Sequence, residues 1–332
     1  MAATLVVYLH AAQVAVKATG SSGLLPAQLQ VTGQSGVDIF FVISGVIITR
    51  SARSMRWQDF AWKRFRRIAP LYWLVCIAAV LIALRGGAGL TWRGLLATFL
   101  LWPATDTMTA PLVGVAWTLC FEALFYVAAT LVVADRRWLA PLLCGFSIAM
   151  IMRGHGPVFQ FLGNPLILEF LMGVAAACAA PAPRAVWLIP VGAAGLLAAG
   201  FAGLTPTGTP VDFLTTGGSL TRVLVFGVPA ALIVFGVLQA KASESALTRQ
   251  GDASYALYLT HPMIMSPTLA LWAVLPLPPD AIIALLIGAS ILFGWRVHVS
   301  IEAPLMAWAD ARRKRSLKLP RGDASRLPSS AA

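Results

Sequence analysis

The sequence predicts an all-α fold, a polytopic membrane bundle of about ten transmembrane helices plus one short re-entrant segment. Three observations lead there. Of 332 residues, 58% are hydrophobic and only 11% charged, against about 25% charged in an ordinary soluble domain. Apolar runs long enough to cross a bilayer recur along the chain with short gaps between them. The basic residues gather on alternate connections between those runs.

Counting about 20 apolar residues per crossing, spans fall near 1–18, 35–52, 67–85, 113–134, 138–153, 165–180, 185–203, 221–240, 253–275 and 281–303. The stretch from Thr91 to Pro103 is apolar only between Arg93 and Pro103, too short to cross, and is expected to be re-entrant or interfacial. Charge tests this arrangement. If the first helix runs outward, Arg50 to Arg67, Arg136–Arg137, Arg184, Lys241 with Arg249, and the run from Arg312 to Arg326 all lie inside, which places nineteen of the 25 basic residues there. That asymmetry is what the positive-inside rule requires, and a crossing at 91–103 would send the basic tail outside. The expected layout is a membrane domain over 1–308 and a basic, partly disordered cytoplasmic tail over 309–332. Both termini are inside and the location is the inner membrane.

The net charge of +12 sits mainly in two clusters beside hydrophobic segments, so its expected partner is the lipid bilayer, not nucleic acid. Cys76, Cys120, Cys144 and Cys178 lie in separate apolar runs without CxxC spacing. They are read as small buried hydrophobes, with no disulfide framework and no metal site. No basic flank precedes the first apolar run, so it is expected to stay in the membrane and not be cleaved as a signal peptide. The outer loop 204–220, rich in Thr, Gly and Pro, is read as a flexible connector that can cover a polar acceptor.

Ionisable residues inside spans are functional candidates because burying them in lipid is costly. Here they are His10, Asp38, Glu122, Glu169, His261, Arg296, His298 and Glu302. His10 stands about 14 Å along the first helix from Met1 and carries an imidazole able to take a proton near neutral pH, as general-base chemistry on a hydroxyl needs. Asp38 can orient His10 or pair with a cation. Glu122, amid aromatic residues in WTLCFEALFY, needs a partner from another helix. His298 and Glu302, four apart, can satisfy each other. Lys63, Arg64, Arg66 and Arg67 in DFAWKRFRRIAPLYW can anchor the helix to anionic lipid or bind the phosphates of a cytoplasmic donor, a task suited to guanidinium forks.

In order, VVYLHAA, GVDIFFVISGVII, KRFRRIAPLYW, WTLCFEALFY, GNPLILEFLMG, GDASYALYLTHPM and the late EAPL resemble membrane acyltransferase family 3, especially its bacterial exopolysaccharide O-acetylases. The resemblance runs from about residue 4 to 308. It implies a ten-helix domain that moves an acyl group, usually acetyl from acetyl-CoA, to a hydroxyl of a carbohydrate acceptor. Acyl-CoA is then a substrate, and no cofactor stays bound. The resemblance puts the base on His10 and the donor motif on Arg64 and Arg67, with Lys63 and Arg66 beside them. It also implies an arginine eleven positions before His10, upstream of Met1, so an earlier start is expected. Direct transfer and an acyl-histidine are both compatible with these residues. A polysaccharide-precursor transporter or flippase would require internal repeats and paired broken helices, which the sequence does not show, and an inactive homologue is the third reading.

Overall fold

The computed structural model describes residues 2–21, 23–204, 206–215, 217–240, 251–272 and 277–318, with side chains omitted for 266–272 and 316–318. Among them the regular secondary structure is helical, joined by turns and loops, with a lone bridge between Ala104 and Met108. The main helices are α1 (Ala2–Thr19), α2 (Ser35–Ala52), α3 (Trp57–Arg85), α4 (Trp92–Leu100), α5 (Trp117–Ala134), α6 (Leu139–Ile151), α7 (Ile167–Cys178), α8 (Leu188–Phe201), α9 (Ser219–Gln239), α10 (Ser254–Trp272), α11 (Pro279–Val297) and α12 (Ala303–Lys318).

Eight helical segments among the described residues are long and apolar enough to cross a membrane, which makes this a multi-pass membrane protein. The other two expected spans, 138–153 and 253–275, are the helices α6 and α10. The thirteen residues of α6 extend only about 20 Å. Helix α4 is the short segment expected between Thr91 and Pro103. The Thr91 side chain caps it by accepting from the Gly94 amide, and Leu101 ends it in a left-handed conformation at φ 56°. Tyr72 and Trp73 of α3 hold it by donating to the carbonyls of Thr98 (2.6 Å) and Phe99 (3.1 Å).

Helix α3 starts at Trp57, ten residues before the expected span, and runs through Pro70. Its early turns are pinned to α12. Arg313 donates to Asp59 at 2.6 Å, while Trp62 and Arg66 both reach Asp310 at 3.2 Å. The first ten residues of the expected tail are therefore ordered helix through Lys318, and 319–332 lie outside the described residues.

The core is aromatic where α2, α5 and α7 meet. Phe41 stacks on Phe170 at 4.6 Å between ring centroids, with Phe121 and Trp117 edge-on to it. One turn along, α2 and α7 touch backbone to backbone. A Cβ on Gly45 would stand 2.1 Å from the Phe170 carbonyl oxygen, and one on Gly173 2.1 Å from that of Val42. Small residues permit such an approach in membrane helices. All four cysteines are free. Cys76 and Cys120 are buried as expected, but Cys144 and Cys178 are exposed on the bundle surface. An apolar run in sequence therefore did not mean burial within the bundle.

Candidate functional site

His10 lies on the wall of a cavity of about 430 Å3 that Gln13, Lys17, Trp117, Phe213, Arg222 and Tyr258 also line. Helical spacing explains the first three: His10, Gln13 and Lys17 recur three and four apart, on one face of α1. Gln13 is within hydrogen-bonding reach of the His10 ring. The cavity lies at the end of the bundle where α1 finishes and α2 begins, since Gln34 and Val37 also border it.

The neighbour of the His10 ring is another imidazole, His261 of α10, with centroids 5.2 Å apart and planes tilted by 39°. His261 is fully buried. Its Nδ1 is 2.7 Å from the Tyr258 carbonyl oxygen, which only an N–H can face favourably, and its Nε2 has no hydrogen-bond partner.

Asp38 and Glu122 sit elsewhere. Both Asp38 oxygens are taken by Arg222 of α9, at 2.9 and 2.8 Å, in a fork that also donates to the Gln34 side chain at 3.0 Å and the Gln34 carbonyl at 3.2 Å. The guanidinium packs against the rings of Phe213, Trp117 and Phe226. Asp38 is thus the anchor of a cavity-wall arginine. Glu169 is fully buried beside Asp38 and Arg222, with neither oxygen hydrogen-bonded. It presses on Gly227, in a π-helical stretch of α9 spanning Val223–Gly227. Glu122 of α5 accepts from Tyr126 one turn along, over whose ring the Arg64 guanidinium lies at 5.7 Å.

The four basic residues of α3 separate by helical face. Arg64 and Arg67, three apart, turn into the bundle. Arg64 donates to Ser51 at 2.8 Å and leaves its buried Nε unpaired. Arg67 donates to Glu302 at 2.8 Å and to the Asp252 carbonyl at 3.1 Å. Arg66 is tied to Asp310, and Lys63 is exposed. Glu302 also meets His298 at 2.8 Å, the i, i+4 pairing expected from sequence, within a second π-helical stretch. Arg296 is exposed and lies over Trp295.

Helix α10 connects the two regions. The Asp252 carbonyl just before it holds Arg67, and the Tyr255 hydroxyl donates to the Ile68 carbonyl at 2.9 Å. Further along, the Tyr258 hydroxyl is 2.8 Å from that of Thr118, and His261 meets His10. The nine residues from Asp252 to His261 correspond to about 14 Å of helix. The arginine pair and the histidine pair therefore occupy different depths of one bundle.

Among the described residues of the loop beside the cavity, 209–215 are tied into the bundle by hydrogen bonds. The Asn164 side-chain amide donates to the carbonyls of Phe213, Leu214 and Thr215 at 3.0–3.3 Å. A Thr209–Asp212 capping box starts a short helix, Pro210–Leu214, and Phe213 stacks on Trp117 at 4.9 Å. The Thr209 backbone amide holds the Asp212 carboxyl below its usual range. A second cavity, of about 540 Å3, lies on the other side of this loop and shares Phe213 and Arg222 as walls. In the 91–112 connection, the Arg93 hydrogen bond holds Asp106 low in the same way.

Arg222, at the edge of an expected span, is not among the candidates that the sequence singles out, and His261 is among them without a partner or role. A cation near a span end facing two intramembrane carboxyls was the available signal for the first; nothing linear signalled the second.

No metal-binding cluster of His, Cys, Asp and Glu occurs among the described residues. The chain is 33% identical over 303 residues to the exopolysaccharide production protein ExoZ of Rhizobium meliloti (strain 1021), covering 85% of this chain and 92% of that protein. It is 27% identical over 360 aligned positions to the acyltransferase MdmB of Streptomyces mycarofaciens, covering 92% and 89%. No solved structure matches. The family described as an acyltransferase domain matches residues 1–297. By that match and its multi-pass helices, the chain belongs to that acyltransferase family and is an integral membrane O-acyltransferase.

Proposed function

We propose that the enzyme transfers an acetyl group from acetyl-CoA, presented at the cytoplasmic face of the inner membrane, to a hydroxyl of an exported or cell-surface polysaccharide. The observation that carries this reading is the separation of the His10 cavity from the Arg64/Arg67 pair within one bundle. Arg64 and Arg67 supply guanidinium donors for the phosphates of the acyl donor, and α10 spans the depth that an extended pantetheine arm has to cover. At the other end, the stacked Trp117 and Phe213 rings give the cavity the apolar face, and Gln13 and Lys17 the hydrogen-bond donors, that suit a sugar. The name of the Rhizobium relative favours a polysaccharide acceptor.

In the direct form of the reaction, a His10 nitrogen takes the proton of the acceptor hydroxyl as its oxygen bonds to the thioester carbon. The C–S bond then breaks, and the thiolate leaves with the proton from His10. In this orientation both termini are cytoplasmic, consistent with the basic α3 and α12 ends meeting on one side.

Membranes containing the wild type or His10→Ala, supplied with radiolabelled acetyl-CoA and polysaccharide extracted from the producing cells, test the reading. It requires label on the polysaccharide with the wild type only. A wild type that leaves the polysaccharide unlabelled would refute it, as an inactive homologue or a transporter would.

A further inference from the structure

The second imidazole has no role in the scheme so far. His261 is completely buried in α10, and its Nε2 has no hydrogen-bond partner. An apolar side chain would fill that volume without leaving an acceptor desolvated and unpaired, so packing does not explain a histidine here. Its Nδ1–H is committed to the Tyr258 carbonyl at 2.7 Å, with the Leu257 carbonyl at 3.3 Å. That contact fixes the tautomer: the proton is on Nδ1 and the lone pair on Nε2.

The surroundings give that lone pair a direction of use. His10 lines the cavity, and so do Tyr258, Pro262 and Met265 on the turns around His261, but the His261 ring does not. The order is cavity, then His10, then His261, with 5.2 Å between ring centroids. A base that takes a substrate proton on one nitrogen needs an acceptor for the N–H on its other nitrogen, and in acyl-transfer triads a buried acid performs that function. The carboxyls closest in sequence pattern are engaged elsewhere, Asp38 with Arg222 and Glu122 with Tyr126.

We propose that His261 is the positioning residue of His10: its unpaired Nε2 accepts the hydrogen bond of the His10 N–H turned away from the cavity, leaving the other His10 nitrogen, on the cavity wall that it shares with Gln13, to take the hydroxyl proton. In the structure the rings stand 5.2 Å apart between centroids and the bond is not made; a small turn of the His10 ring forms it, since catalytic hydrogen bonds commonly tighten only in the reacting complex. Because a neutral imidazole takes the place of a carboxylate, the imidazolium formed on His10 is held by a hydrogen bond and not by an ion pair. The proposal rests on His10 being the base.

The test compares wild type, His10→Ala, His261→Leu and His261→Gln as full chains in membranes, with radiolabelled acetyl-CoA and extracted polysaccharide, each rate normalised to folded protein by fluorescence-detected size exclusion. Leu removes the acceptor at similar volume; Gln can restore an oxygen acceptor near the Nε2 position. The proposal requires His261→Leu to lower kcat about 100-fold, a typical share for acid–base machinery, with KM for acetyl-CoA unchanged. His261→Gln should regain about tenfold of that loss. A Leu variant with the wild-type kcat per folded molecule, or a Gln variant as impaired as Leu, would overturn it. If His10→Ala transfers as well as wild type, the reading of His10 fails first and this inference with it.

Discussion

Replacing Arg222 by methionine tests whether the outer end of the bundle is built around one buried ion pair. Arg222 is 1% exposed and makes four hydrogen bonds, two to Asp38 and two to Gln34, all within 3.2 Å. Methionine fills much of the volume but leaves the Asp38 carboxylate unpaired at 0% exposure, with the Glu169 carboxyl beside it. Removing one partner of a buried pair costs about 3–5 kcal/mol. In detergent that corresponds to an apparent Tm lower by on the order of 10 °C. Asp38→Asn should cost less, about 1–2 kcal/mol, because the amide oxygen still accepts and Glu169 is at hand for the cation. The double variant Arg222→Met/Asp38→Leu should be more stable than Arg222→Met alone, because it buries no orphaned charge. Fluorescence-detected size exclusion after graded heating measures all three. An Arg222→Met protein with wild-type Tm, or a double variant less stable than that single one, would refute the reasoning.

Further outcomes follow from the same geometry. Arg64→Gln and Arg67→Gln should each raise KM for acetyl-CoA about 10- to 100-fold, the worth of one charge-assisted contact. The exposed Lys63→Gln should leave it unchanged; steady-state kinetics at varied acetyl-CoA would show otherwise if the run only anchors lipid. Gly45→Val drives side-chain atoms into the Phe170 carbonyl and should abolish accumulation of folded protein, read from membrane abundance; normal abundance would contradict the contact. Because its carboxyl is held below the usual range by Arg93, Asp106 adds stability above its unfolded pKa and loses it as pH falls through the lower folded value. The Tm gap between wild type and Asp106→Asn should therefore be present at neutral pH and close in acid.

The helices were legible in the sequence because apolar length and the positions of Gly, Pro and charge act locally. The short α4 is an example: too few apolar residues to cross, Thr91 at its start and Trp102–Pro103 after its end. The extension of α3 back to Trp57 was not legible, since it depends on Asp310 and Arg313, some 250 positions away. His10 and the Arg64/Arg67 spacing stood out because each is costly or periodic on its own helix. The partners did not. Which carboxyl meets Arg222, and that His261 meets His10, depend on how four distant helices pack, and no local pattern encodes that. The tie on residues 213–215 was hidden likewise, because Asn164, which makes it, belongs to another segment.

Vesicles of defined orientation test the central claim most directly, since it places donor and acceptor on opposite sides of the His10 site. Given external radiolabelled acetyl-CoA and polysaccharide trapped in the lumen, wild-type inside-out vesicles should label the polysaccharide. Right-side-out vesicles, and inside-out vesicles carrying His10→Ala, should not. Equal labelling from either face, or labelling that survives loss of the His10 ring, would contradict the account.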